Sequence, residues 1–102
     1  MPVNQSISLD NNQVTISIQN NFDFSLHQHF RESYVSCNTP KTTFILDLSK
    51  TEYMDSSALG MILLLKDHAD NLGGDVIVNY PNDTVYKILE IAQFHRLVTI
   101  KR

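Results

Sequence analysis

Residues 43–78 read TFILDLSKTEYMDSSALGMILLLKDHADNLGGDVIV, and their reading decides the fold. Thr43-Phe44-Ile45-Leu46-Asp47-Leu48 is short and largely apolar, with no helix cap before it, which fits a central strand covered on both faces. From Ser56 the period changes. Ala58, Ile62, Leu65, Ala69 and Leu72 recur at i, i+4, i+7, i+11 and i+14, one face of a long helix. Gly73-Gly74 ends it, where a left-handed cap costs glycine little. Val76-Ile77-Val78 then reads as another buried strand. A strand, a crossover helix and a strand in that order imply parallel pairing within one sheet.

The flanking segments extend this pattern. Ile7 and Leu9 alternate with Ser6, Ser8 and Asp10; after Asp10-Asn11-Asn12-Gln13, Val14, Ile16 and Ile18 alternate with Thr15, Ser17 and Gln19. Two alternating runs around a polar turn predict a β-hairpin. Leu26, Phe30, Tyr34 and Cys37 carry a helical period from Ser25 until Pro40 stops it. Asn82 or Asp83 caps a helix bearing Val85, Ile88, Leu89 and Ala92, and Leu97 to Ile100 supplies a last strand. The predicted order is ββαβαβαβ: one α/β domain over residues 1–102, with a mixed, largely parallel sheet covered mainly on one side by helices.

Composition narrows the function. The chain has 102 residues, 42% apolar and 19% charged, which suits a single domain. A net charge of −3 gives no basic footprint for nucleic acid. Cys37 is the one cysteine, so no internal disulfide forms, and a reducing compartment is expected. The first residues lack a basic and then apolar leader, and no run approaches the roughly 18 apolar residues of a membrane span. The expectation is a cytoplasmic protein with no membrane insertion. His27, His29, His68 and His95 lack metal spacing, so no metal and no cofactor is expected. Gly73-Gly74 follows a helix and lacks the Lys-Ser/Thr tail of a phosphate loop, and no Gly-x-Ser-x-Gly elbow is present. An enzyme is therefore not expected.

The chemistry concentrates in Tyr53-Met54-Asp55-Ser56-Ser57-Ala58-Leu59-Gly60, where a loop enters the long helix. Asp and Ser are preferred N-caps, and capping alone accounts for their types. The helix phase adds a second reading. Gly60, Leu63 and Leu64 point away from the buried stripe, where a surface helix ordinarily carries charge. A helical glycine costs about 0.5–1 kcal/mol relative to alanine, so Gly60 reflects either a crowded contact inside the chain or the close approach of another chain. A phosphate on Ser56 would suit the helix N-terminus and place roughly 1.5–2 negative charges at the edge of that patch. Binding could then be switched without unfolding.

Asp55-Ser56-Ser57-Ala58-Leu59-Gly60, preceded by Ile45-Leu46-Asp47-Leu48, resembles the Asp-Ser-Ser-(Gly/Ala)-Leu-Gly motif of the anti-sigma factor antagonists of the STAS fold. The order of elements agrees along essentially the whole chain. The resemblance implies phosphorylation at Ser56, with Ser57 the second candidate and Asp55 in the same loop. It also implies an acidic partner to that loop at Asp23, in Asn20-Asn21-Phe22-Asp23, where Asn20 stands at a family glycine. Asparagine also tolerates left-handed conformations. Implied with these are an anti-sigma factor or equivalent regulator bound through Gly60, Leu63 and Leu64, a serine kinase that ends binding, and a metal-dependent serine phosphatase that restores it. A monomer or weak dimer is expected. The alternative reading is a STAS accessory subunit of a membrane lipid-transport ATPase, docked through the same helix.

Overall fold

The structure, a computed structural model, describes residues 2–10 and 12–102. Strands β1 (Val3–Ile7) and β2 (Gln13–Ile18) form the predicted antiparallel hairpin. β4 (Thr43–Asp47), β6 (Asp75–Asn79) and β7 (Thr99–Lys101) continue the sheet in parallel, giving the order β1-β2-β4-β6-β7. A separate parallel ribbon pairs β3 (Asn20–Phe22) with β5 (Thr51–Met54). The helices are α1 (His27–Glu32), α2 (Ser56–Asn71) and α3 (Asp83–Ile91).

The core lies between one sheet face and these helices. Val14, Ile16, Ile18, Phe44, Leu46, Val76 and Val78 are buried along the sheet, and Ala58, Ile62, Leu65 and Ala69 of α2 face them. Phe22, Phe30 and Tyr34 fill the space under α1, with successive ring centroids 5.1 and 5.6 Å apart. The opposite sheet face carries Thr43, Ile45, Asp47 and Ile77, all half-buried. β4 is therefore covered on one face, which corrects the two-faced reading of this strand. Its apolar run arises because Ile45 and Ile77 lie side by side at the middle of that open face.

Three other boundaries depart from expectation. Leu9 falls outside the strand and is fully exposed, because the hairpin closes earlier. There Ser8 N–H bonds the Gln13 carbonyl at 2.9 Å, and the Ser8 hydroxyl donates to Asp10 at 2.7 Å. Asn11 of the predicted turn lies outside the described residues. α1 ends at Glu32, short of Pro40, since Ser33 turns its hydroxyl back to the Phe30 carbonyl at 2.5 Å. Tighter turns then bury Tyr34 and half-bury Cys37 as the period anticipates. The last predicted strand begins later, after a 3-10 turn over Phe94–Arg96.

The end of α2 agrees with its sequence closely. Gly73 is left-handed at φ +71°, and Gly73 and Gly74 N–H groups bond the Asp70 and Ala69 carbonyls at 3.0 and 2.9 Å. A Cβ on Gly74 would lie 1.8 Å from the Thr42 carbonyl oxygen, so the second glycine is a packing requirement.

Candidate functional site

The site begins with the β3–β5 ribbon, which the sequence pattern does not announce. Its parallel register sets Phe22 beside Met54, both buried, and the Asp55 N–H bonds the Phe22 carbonyl at 3.3 Å. Asp23 and Asp55 therefore leave the same end of the ribbon on neighbouring strands. The left-handed backbone that permits this comes from Asn20, at φ 63°, in the position of the family glycine.

Each aspartate caps the helical turn on its C-terminal side, and both do so in the same way. The Asp23 carboxylate accepts from the Ser25 N–H at 2.9 Å and from the Ser25 hydroxyl, opening a 3-10 turn over Phe24–Leu26. The Asp55 carboxylate accepts from the Ser57 N–H at 3.0 Å, the Ala58 N–H at 3.2 Å and the Ser57 hydroxyl at 2.6 Å. These bonds, the Ser57 hydroxyl first, hold the Asp55 carboxyl below its ordinary value, outweighing the opposing effect of burial. In each cap the residue between Asp and Ser is exposed: Phe24 at the start of the 3-10 turn, Ser56 at the start of α2.

The two serines thus differ. Ser57 is half-buried and its hydroxyl is committed to Asp55. Ser56, the first residue of α2, is exposed, and its hydroxyl makes no hydrogen bond among the described residues.

Gly60 lies exposed one turn further on, and a Cβ there would meet nothing within 4 Å. Crowding inside the chain is therefore not the reason for a glycine at this place. Leu63 and Leu64 are 41% and 51% exposed, while their neighbours Ile62 and Leu65 are buried. On the other side of Ser56 runs a largely apolar groove of about 390 Å³ between β5, the start of α2, and α3. Tyr53, Leu59, Ile88 and Ile91 line it with Asp55 and Ser56 at its edge, and Ile91 is 73% exposed. α3 is held against β5 by Asn82, whose side-chain amide donates to the Thr51 and Glu52 carbonyls at 3.1 and 3.2 Å while its oxygen caps Val85.

The sequence reading missed this groove. The available signal was Ile91, which falls off the Val85–Leu89 stripe as an unneeded surface apolar, much as Leu63 and Leu64 do on α2. Among the described residues no cluster of three His, Cys, Asp or Glu could hold a metal ion. No helix is long and apolar enough to cross a membrane.

A five-stranded mixed sheet with helices on one face, and a serine-bearing helix N-terminus set on a strand ribbon beside an open groove, define a small α/β module with a surface site. A STAS domain family model matches residues 2–102, and the chain belongs to that family. It is 41% identical over 93 residues to a STAS-domain containing protein of Pseudomonas aeruginosa, covering 91% of this chain and 92% of that one. A Thermotoga maritima protein assigned as an anti-sigma factor antagonist superposes with a TM-score of 0.80 at 22% identity, over 98% of this chain and 86% of that one. The anti-sigma factor antagonist SpoIIAA of Bacillus superposes in its unphosphorylated form with a TM-score of 0.72 at 18% identity, over 96% and 86%. At these identities the solved structures establish the fold, and function resides in the chemistry of the site.

Proposed function

We propose that this chain is an anti-sigma factor antagonist: a cytoplasmic binding protein that holds an anti-sigma factor or equivalent regulator while Ser56 is unphosphorylated, and releases it when a serine kinase modifies Ser56. A metal-dependent serine phosphatase resets the cycle. The protein itself performs no catalysis; phosphoryl transfer belongs to the kinase. The observation that carries the reading is the exposed Ser56 hydroxyl, unbonded among the described residues, between an apolar groove and the exposed Gly60, Leu63 and Leu64.

The physics of the switch is local. A phosphate at the first turn of α2 sits where the helix dipole and free N–H groups favour an anion, so the fold tolerates it. The same phosphate brings roughly 1.5–2 negative charges into a surface that a partner must desolvate. Asp55 caps the turn that carries Ser56, Asp23 caps the neighbouring turn over Phe24–Leu26, and both add negative charge at the adjoining strand ends. Ser57 remains the second candidate, yet its modification would break the bond to Asp55 and weaken the cap, coupling the switch to stability.

The test is an affinity capture with wild type, Ser56→Ala and Ser56→Asp, with partners identified by mass spectrometry. A regulator held by wild type and Ser56→Ala and weakened with Ser56→Asp supports the proposal. Equal capture by all three, or a transporter ATPase held by all three, refutes it.

A further inference from the structure

The two edges of the sheet are built differently. β7 is three residues long, contains Lys101, and precedes Arg102, which pairs with Asp83 at 2.6 Å. Short length and charge are the ordinary protections of an exposed edge. β1 has five residues, Val3-Asn4-Gln5-Ser6-Ile7, with no charge, no proline and an unbroken register on β2.

The ladder phase shows what that edge offers. Gln19 N–H bonds the Pro2 carbonyl at 2.8 Å and Ser8 N–H the Gln13 carbonyl at 2.9 Å, which marks Pro2/Gln19 and Ser8/Gln13 as hydrogen-bonded pairs. Alternation then turns the backbone of Asn4 and Ser6 toward β2 and that of Val3, Gln5 and Ile7 away from it. None of these three outward N–H and C=O groups bonds another element among the described residues.

We propose that β1 joins two copies of this chain into a weak twofold dimer by antiparallel β1–β1 pairing centred on Gln5. The edge is complementary to itself. With Gln5 opposite its own copy, Val3 stands opposite Ile7 at both ends, and every outward donor meets an outward acceptor. Ile7, 43% exposed, then gains the copy's Val3 as a lateral apolar neighbour. The charged side chain next along the chain, Asp10, falls at opposite ends of the pair, so the two carboxylates do not face each other. One strand contact covers less than the roughly 1,200 Å² of a stable interface, so the dimer dissociates on dilution. This inference rests on the sheet edge and is independent of the Ser56 switch.

The test is sedimentation velocity on the whole chain from about 1 μM to about 1 mM, the range expected of a weak contact. Wild type should pass from monomer to dimer, and Ile7→Lys, which charges the edge, should stay monomeric with an unchanged circular dichroism spectrum. In a Cys37→Ser background, Gln5→Cys should oxidise to a covalent dimer, since directly opposed Cα atoms at about 5.5 Å lie within disulfide reach. Asn4→Cys, displaced from the twofold and on the open face, should cross-link far more slowly. Wild type that stays monomeric throughout overturns the proposal. So does a dimer that survives Ile7→Lys and cross-links no faster through Gln5→Cys than through Asn4→Cys.

Discussion

Replacing Asp55 by alanine removes the acceptor that closes the first turn of α2, and the structure sets the size of the loss. The carboxylate accepts two backbone N–H bonds, from Ser57 and Ala58, and one hydroxyl bond from Ser57. An N-cap change of this kind costs about 1 kcal/mol, and the negative charge at the helix N-terminus adds about 0.3–1 kcal/mol. The sum, about 1.5–2 kcal/mol, corresponds to a fall of roughly 6–15 °C in Tm for a domain of this length. Ser56→Ala, one residue away, removes a hydroxyl that bonds none of the described residues and inserts a better helix former, so stability should stay within about 0.5 kcal/mol. Ser57→Ala should fall between the two. Urea unfolding monitored by circular dichroism measures all three. Were Ser56→Ala to cost as much as Asp55→Ala, the Ser56 hydroxyl would belong to the cap, and the division of labour between the two serines would be refuted.

Gly60→Ala should raise stability by about 0.5–1 kcal/mol, since a Cβ there meets nothing within 4 Å, while weakening partner binding; equal or tighter binding would remove Gly60 from the docking surface. Leu65→Ala should cost about 2–5 kcal/mol, whereas Leu64→Ala, half-exposed, should leave urea stability nearly unchanged and reduce capture of the partner. The acid limb of stability tests the cap electrostatically. Because the folded Asp55 carboxyl is held below its ordinary value, its contribution is present at neutral pH and is lost as pH falls through the folded value. Ser57→Ala removes the largest cause of that depression and should move the loss to higher pH; an unchanged acid midpoint in urea titrations would contradict this.

The legible parts of the fold were those where apolar spacing and chain direction agree. Ala58, Ile62, Leu65 and Ala69 fixed the buried face of α2, Gly73 its end, and Asn82 the start of α3. The β3–β5 ribbon was not legible because three and four residues carry no measurable alternation, and its pairing joins segments about thirty residues apart. That ribbon sets Asp23 and Asp55 at the ends of neighbouring strands, so the candidate residues could be named from a family motif while their geometry could not. Leu9 misled for the opposite reason: it continues an alternation that the Ser8–Asp10 turn has already ended. The groove under Ile91 escaped because its walls come from three elements whose packing no local pattern states.

The central claim is that phosphate on Ser56 ends binding without unfolding the protein. Its most direct measurement is calorimetric titration of the captured regulator into two forms of this chain, unmodified and phosphorylated at Ser56, with Tm recorded for each. The account predicts a loss in affinity of roughly tenfold or more, the equivalent of about 1.4 kcal/mol, with Tm preserved within a few degrees. Equal affinity for both forms, or a loss that accompanies a collapse in Tm, would contradict it.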